Sequence, residues 1–506
     1  MKQLRKWTVA AFCSLAGVLY AQTPSYSTYQ VNKDLTNFTD WTASSLSKNF
    51  KDKHLKGMES QLMKQLAEKM LRGDYNSAYL LQSYKPIPSN KVLEQQLKLT
   101  NGYSRYENIT GVYLEAGENV VLVGDLHGRT VGLLIPDWMR QPTLGYQPTK
   151  DPEGWGLKKQ EILLHEGVNV INVKKAGNVY VDYFADDPDT APAVTIHFVN
   201  GYFDATVQSN EDWNRLLDNA VSPVMDVKGK YIQLAYPVEQ LKKLAYGKGK
   251  ELAENYDKVM QVQYDFSGAT KYNRIPKKRI LARVNFNYFM FRDGDGVAFE
   301  GTDGTMKAAI GPEVTTNWGI HHEIGHVMQM RPWLTWGGMT EVSNNLFSVY
   351  GTMSLGDSSR LSKRHIYEAA FSKVLNAPEK QFIMCVKDPF HKLIPFWQIQ
   401  IYADKIGYKD FYADLMEHLR NQPHKGAGNA SIHNMYEYIK LCCDFLKTDL
   451  TDFFDAWGFF QTGKFHVGDY GNYDFEVTPK MIEETKHYIA SKNYPKPSMD
   501  VTKLTD

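Results

Sequence analysis

Cysteine is scarce in this sequence. The 506 residues include four, Cys13, Cys385, Cys442 and Cys443. Cys13 falls in an N-terminal segment that reads as removable. The remaining three cannot build a disulfide framework, even in an oxidising compartment. Cys442 and Cys443 are adjacent and lack Cys-x-x-Cys metal spacing, so they read as small buried apolar residues. An excess of charge is also missing. Lys and Arg number 58 against 57 Asp and Glu, a net charge of +1. That balance argues against a polyanion binder working through bulk charge, and no nucleic-acid partner is expected. Beyond the N-terminus there is no run of about 18 apolar residues, so no stable membrane insertion is expected. Internal repeats and long low-complexity tracts are absent too. With 43% hydrophobic and 23% charged residues the chain is of globular composition, which excludes collagen, coiled coil and wholesale disorder. At about 150 residues per domain, its length suggests roughly three domains.

What is abundant is aromatic: 13% of the chain, with 31 Tyr and 10 Trp. This suits a secreted protein that stacks rings on sugars or peptides, although packing is the ordinary role of any one ring. Residues 1–21 have a secretory pattern. Lys2, Arg5 and Lys6 form a basic start, positions 7–20 carry no charge, and Ala21 precedes the polar Gln22-Thr23-Pro24. The stretch is too short for a comfortable span, and Phe12 is wrong for lipoprotein processing at Cys13. Cleavage after Ala21 and export are expected, to the periplasm, cell surface or exterior. The mature chain would carry 55 basic and 57 acidic residues.

Residues 22–105 read as a helical N-terminal region. Met58, Leu62, Leu66 and Met70 recur every fourth residue, flanked by Met63, Ala67 and Leu71, and Gly73 stops the helix. From about Thr110 the period becomes two. Val112-Tyr113-Leu114, a turn, and residues 120–123 predict a hairpin. Strands are expected at 131–135, 161–164, 168–173, 179–184 and 194–199, so residues 106–200 suggest a β-sandwich module. Residues 201–359 mix strands and helices. Residues 360–506 are read as a helical C-terminal subdomain. The fold class is therefore α+β.

The chemistry lies in His322-Glu323-Ile324-Gly325-His326. H-E-x-x-H on a helix puts both histidines on one face, able to share a metal ion, with the glutamate beside them as a general base. A chance match in a chain of this composition has a probability on the order of 2 in 100. Gly311-Pro312-Glu313 offers a helix start and Pro332 a stop. His321 is five residues from His326, which does not share a face well, so it reads as a neighbour. Catalytic zinc wants three protein ligands and an open position. The next carboxylate is Glu341, on a second helix after the reversal Pro332-Trp333-Leu334-Thr335-Trp336-Gly337-Gly338. His322, His326 and Glu341 thus form a candidate site for one Zn²⁺ per chain, with Glu323 as catalytic base. Asn345 shares Glu341's face and is a candidate to hydrogen-bond a ligand histidine; a helix-surface amide is the alternative.

Asn317-Trp318-Gly319-Ile320-His321-His322-Glu323-Ile324-Gly325-His326, Gln329, and Thr340-Glu341-Val342-Ser343-Asn344-Asn345 together resemble the enhancin-like zinc metallopeptidases, peptidase family M60. Softer similarity runs over residues 103–111, Phe396-Trp397-Gln398 and residues 450–458. The resemblance implies a zincin-type, gluzincin-like core, and cleavage of O-glycosylated proteins such as mucins. Trp318, Gly319 and Trp336 are the candidate substrate contacts, with Trp333 beside them. One segment departs from the family. Where many members carry a Gly-Tyr-Pro-like loop, this chain has Asp293-Gly294-Asp295-Gly296-Val297-Ala298, so the family's contacts do not carry over there. That run lacks the rest of a calcium loop and reads as a plain turn. Two rivals share the motif: a general zinc peptidase or aminopeptidase without glycan dependence, and a glycan-binding protein that has lost catalysis. Aminopeptidases usually have a longer gap to the third ligand and an upstream Gly-Ala-Met-Glu-Asn segment, and intact Glu323 counts against lost catalysis.

Overall fold

The computed structural model describes residues 25–506 apart from 76, 100–102, 146, 148–149, 155 and 199–201. The expected signal segment, with Cys13, and the end of the strand expected at 194–199 lie outside the described residues.

The amphipathic stripe forms helix α1 (Gln61–Arg72). It starts later than the stripe, because Ser60 accepts from the Met63 amide and caps it. Met58 therefore precedes the helix. Met63 and Ala67 are buried against Leu122 and Val168 of the module that follows. The region is not helical throughout: β1 (Leu81–Tyr84) and β2 (Ile87–Pro88) lie before residue 105.

The period-two stretch gives β3 (Asn108–Leu114), β4 (Gly117–Val123), β5 (Gly132–Pro136), β6 (Lys159–Leu163) and β7 (Gly167–Val173). β8 (Gly177–Asp182), β9 (Phe184–Ala185) and β10 (Val194–His197) complete it. β2 and β9 form a short parallel pair. The other strands form two four-stranded sheets, ordered β1-β10-β4-β7 and β3-β8-β5-β6, around one apolar core. The hairpin expected at 112–123 does not exist. β3 pairs with β8 while β4 pairs with β7 and β10. Val112 and Val121 enter the same core from opposite sheets, so Glu115-Ala116 carries the chain across rather than back. Alternation alone is identical in the two cases.

A mixed sheet follows: β11 (Phe203–Asp204), β12 (Val224–Lys228), β13 (Ile232–Pro237), β14 (Ile280–Asn285), β15 (Met290–Asp293) and β16 (Gly296–Glu300), in the order β11-β12-β13-β14-β16-β15. β13 and β14 are buried along their whole length, as strands covered on both faces are. Helix α2 (Gly249–Phe266) buries Leu252, Tyr256, Val259 and Met260. The strand-like stretch expected at 279–291 is β14 and the start of β15. At the C-terminal end the fold is not purely helical, since β17 (Gly463–Gly468) and β18 (Asn472–Val477) pair as an antiparallel hairpin. Two of the softer similarity segments meet in the core, where Trp457 Nε1 donates to Gln398 Oε1 at 3.0 Å. Cys442 and Cys443 are buried and free, and Cys385 is half-buried and free. Among the described residues no helix is long and apolar enough to cross a membrane.

A buried carboxylate pins the two-sheet module to the mixed sheet. Asp226 on β12 accepts from Tyr180 Oη at 2.7 and 2.9 Å, from Asn178 Nδ2 at 3.2 Å and from Gln233 Nε2 at 3.4 Å. Tyr180 and Asn178 stand on β8, and Trp138 Nε1 donates to the same tyrosine oxygen at 3.0 Å. Burial pushes the Asp226 carboxyl up to about 6, partly offset by those hydrogen bonds. The folded state thus holds this proton more tightly than the unfolded chain. Its contribution is complete below about pH 4 and is lost as pH rises towards 6, a swing of roughly 3 kcal/mol. Denaturant titrations of wild type and Asp226→Asn at pH 4 and pH 7 should show this swing only in the wild type. Parallel pH dependence would mean that Asp226 does not titrate in that range.

Candidate metal centre and active site

Two helices build the site. The helix expected to start near 311–313 is interrupted. Pro312–Thr316 is a 3-10 turn, and Asn317 then caps α3 (Trp318–Met328), its side chain accepting from the Ile320 amide at 3.2 Å. After the reversal, α4 (Thr340–Ser354) begins. Asp469 Oδ2 accepts from the amides of Gly338 and Thr340 at 2.8 and 3.1 Å and from Thr340 Oγ1 at 2.8 Å. The carboxylate thereby satisfies helix-start donors that would otherwise be orphaned. Lys392, on α5 (Pro389–Lys405), holds the other side of the turn, with Nζ donating to the Gly338 and Met384 carbonyls at 3.0 and 3.1 Å. The helices cross closely at Gly325, where a Cβ would lie 2.6 Å from the Asn344 carbonyl oxygen.

This crossing brings His322, His326 and Glu341 together, with one ligand atom from each within 4.8 Å of the others. His322 Nε2 lies 3.2 Å from Glu341 Oε2, and His326 Nε2 lies 3.5 Å from Glu341 Oε1. A tetrahedral ion with bonds of about 2.0–2.1 Å spaces its ligands roughly 3.3–3.5 Å apart, so the donor set fits one small cation. Each histidine is turned by its far nitrogen. His322 Nδ1 is 2.8 Å from Asn345 Oδ1, and His326 Nδ1 is 3.1 Å from Gln329 Oε1. Those acceptors place the proton on Nδ1, and both Nε2 lone pairs face the cluster, where Asn344 Nδ2 lies 3.2 and 3.0 Å from them. Asn345 Oδ1 also accepts from Trp318 Nε1 at 3.1 Å, and its Nδ2 donates to the Glu341 carbonyl at 2.8 Å. Gln329 Nε2 is anchored on Thr340 O and Ser343 Oγ at 2.6 and 2.8 Å.

Glu323 is buried beside this cluster, and burial raises its carboxyl above the usual range, partly offset by His322 and His326. Burial also pushes on Glu341, but the facing His322 and His326 outweigh it and hold that carboxyl well below the usual range. His321 faces away. Fully buried, it lies 2.8 Å from Thr315 O through Nε2 and 3.2 Å from Gln263 Nε2 through Nδ1, and burial lowers it to about 4. It is a neutral packing residue.

The cluster opens into a cleft of about 1330 Å³, walled on one side by residues 288–292 leading into edge strand β15. Of the expected substrate contacts, Trp318 and Gly319 line it. Trp318 stacks under the Arg360 guanidinium, 5.0 Å from its ring centre, beside Phe390. A Cβ on Gly319 would come 2.7 Å from Met290 Sδ, so the missing side chain lets β15 approach α3. Trp336 does not reach the cleft. It is 1% exposed and packs on Phe396 and Tyr438; the reversal turns it into the core. Trp333 is also elsewhere, donating to Gln422 O at 2.8 Å. Asp293 to Ala298 run from the end of β15 through the turn into β16, with Asp293 paired to Arg283 and Asp295 to Lys159. That turn is not part of the cleft wall.

Three kinds of residue escaped the sequence reading. Gln329 stands three positions past His326, a spacing that could have flagged it. Arg292, Arg331 and Arg360 line the cleft with no local signal. Tyr470 is the third: its hydroxyl donates to Glu341 Oε1 at 2.9 Å from the tip of the β17–β18 hairpin.

Two histidines four apart, a carboxylate from the next helix and a buried glutamate beside them form a candidate site for a metal-dependent hydrolase. The sequence profile described as Peptidase M60, enhancin and enhancin-like matches residues 198–458. The chain belongs to this family and is a metallopeptidase. No curated protein sequence matches it significantly. Solved structures resemble it at low identity. A metallopeptidase from Bacteroides thetaiotaomicron is 22% identical, with a TM-score of 0.76 over 95% of this chain and 82% of that one. A metallopeptidase in complex with Tn antigen is 23% identical, with a TM-score of 0.70 over 85% and 80%. The M60 catalytic domain of Clostridium perfringens ZmpC, in complex with the sialyl T antigen, is 18% identical, with a TM-score of 0.62 over 84% and 81%.

The hydrogen bonds to the histidines have a measurable consequence. Asn345→Ala and Gln329→Ala should each weaken metal binding by about 10–100-fold, the usual cost of losing such a partner. Competition with a chromogenic chelator measures this. Unchanged affinity in both variants would show that the ring orientations are set without them.

Proposed function

We propose that this chain is an exported zinc endopeptidase that cleaves peptide bonds in O-glycosylated, mucin-like proteins. The observation that carries the reading is the convergence of His322, His326 and Glu341, with Glu323 beside them, on the floor of a large cleft. Two imidazoles and a carboxylate at tetrahedral spacing favour Zn²⁺, one per chain. The antiparallel edge strand β15 beside α3, with the third ligand on the following helix, supports a zincin-type, gluzincin-like core. Zinc in this site would supply Lewis-acid polarisation of a carbonyl and a lowered pKa for water. Glu323 accepts the proton of the attacking water and later hands it to the departing amine nitrogen. Its burial keeps bulk water from competing for that proton.

The glycan requirement draws on two relatives, whose structures hold the Tn and sialyl T antigens. It also draws on the cleft's own chemistry. Tyr288 and Phe289 expose their rings there, and Arg292, Arg331 and Arg360 offer donors. Export is supported by the basic start and uncharged stretch of residues 1–21.

Two matched peptides, with and without a single GalNAc on Ser or Thr, test the substrate class. Wild type should cut the glycosylated peptide with far higher kcat/KM, and equal values would leave a general peptidase. The catalytic assignment predicts a split between the carboxylates. Glu323→Gln should lower kcat by at least about 10²-fold while retaining zinc, whereas Glu341→Ala should lose zinc. Equal metal loss in both would show that the carboxylate roles are misassigned.

A further inference from the structure

The inference concerns Tyr470 and rests on the peptidase reading above. Tyr470 is 88% exposed, so its ring gains little from packing. Its backbone lies in the left-handed region, at φ 52°, a conformation that side chains other than glycine rarely adopt. Despite this, its hydroxyl reaches 2.9 Å from Glu341 Oε1, across 129 residues of chain. Tyr470 is not what holds the hairpin tip in place. The neighbouring Asp469 does that, through its three hydrogen bonds to Gly338 and Thr340. The tip is thus fastened independently to the turn that starts α4, and it presents one neutral O–H donor to the cleft. Glu341 does not depend on that donor for its place, since its carboxylate already faces both histidines.

We propose that Tyr470 is a catalytic residue that donates its hydrogen bond to the oxygen of the scissile carbonyl as that oxygen becomes an oxyanion. Substrate entering the cleft draws the hydroxyl from Glu341 to the carbonyl oxygen. The water oxygen bonds to the carbonyl carbon, the C=O π pair moves onto oxygen, and the water proton passes to Glu323. Tyr470 keeps its own proton throughout. When the pair returns, the C–N bond breaks and Glu323 protonates the leaving nitrogen. The bond from Tyr470 is strongest when the oxygen is most negative, so it favours the transition state over the bound substrate and acts on kcat. Asp469 is a positioning residue for this step.

Tyr470→Phe removes only the hydroxyl. In the zinc-loaded enzyme acting on a cleavable glycopeptide it should lower kcat by about 10²–10³-fold, the usual loss for one oxyanion donor, with KM changed less than about threefold. Zinc affinity by chelator competition should match wild type. A phosphinic peptide mimicking the tetrahedral carbon should bind the variant more weakly by about the factor lost in kcat/KM. A kcat within about threefold of wild type would overturn the proposal. So would a loss of kcat that tracks a loss of zinc, which would make Tyr470 a support for Glu341. A wild type that cuts no glycopeptide or peptide, or a Glu323→Gln variant as active as wild type, would instead sink the peptidase reading.

Discussion

The close crossing of α3 and α4 is the constraint on which the site depends. Packed helices usually lie 8–10 Å apart, and the side chains at the crossing set where in that range they fall. Gly325 removes the side chain that would strike the Asn344 carbonyl. Only then can Nε2 atoms on one helix come within 3.5 Å of a carboxylate on the other. The glycine between the two histidines is therefore part of the candidate metal site, though it donates nothing. The cost without a cation falls on Glu323, the buried one of the two carboxyl groups, whose charged form burial disfavours. A dication reverses that balance.

The cluster of candidate ligands was legible in the sequence because it is local. His322, Glu323 and His326 share a single helical turn, and Glu341 is the next carboxylate along the chain. Asn345 followed from the same helical spacing, and the structure gives it a third task, holding Trp318 Nε1. Trp336 was not legible. A tryptophan in a reversal can face a cleft or a core, and the choice belongs to residues far along the chain, Phe396 and Tyr438. The strands of the two-sheet module were legible to within a few residues, but their pairing was not. Val112 and Val121 alternate alike whether the chain folds back in one sheet or crosses to the other.

The C-terminal hairpin shows the same limit at longer range. Phe465 and Val467, then Tyr473, Phe475 and Val477, carry an alternating pattern around the turn at Gly468 to Gly471. That pattern marks a hairpin but not its destination. Its destination is set by packing on a distant surface: Phe465 stacks on Phe382, and Tyr473 and Phe475 crowd Gly337. Those contacts lay the tip against the start of α4, and only there do Asp469 and Tyr470 acquire partners.

The two flanking units therefore bear on the site in unequal ways. The C-terminal unit touches it directly. Asp469 and Lys392 grip the turn from Gly338 to Thr340, and Glu341 is the next residue. Any loosening there would free both the helix start and the ligand it carries. The two-sheet module touches the mixed sheet both at β12, through Asp226, and at the β15–β16 turn, where Lys159 of β6 lies 3.5 Å from Asp295. β12 lies four strand spacings from β15, roughly 19 Å at about 4.8 Å each. Protonation of Asp226 acts on the seam at β12, while the Lys159–Asp295 pair ties the same module to the turn of the strand that walls the cleft. The module thus meets the sheet of the cleft at two places, whereas the start of the helix carrying Glu341 is gripped from the C-terminal side by Asp469 and Lys392.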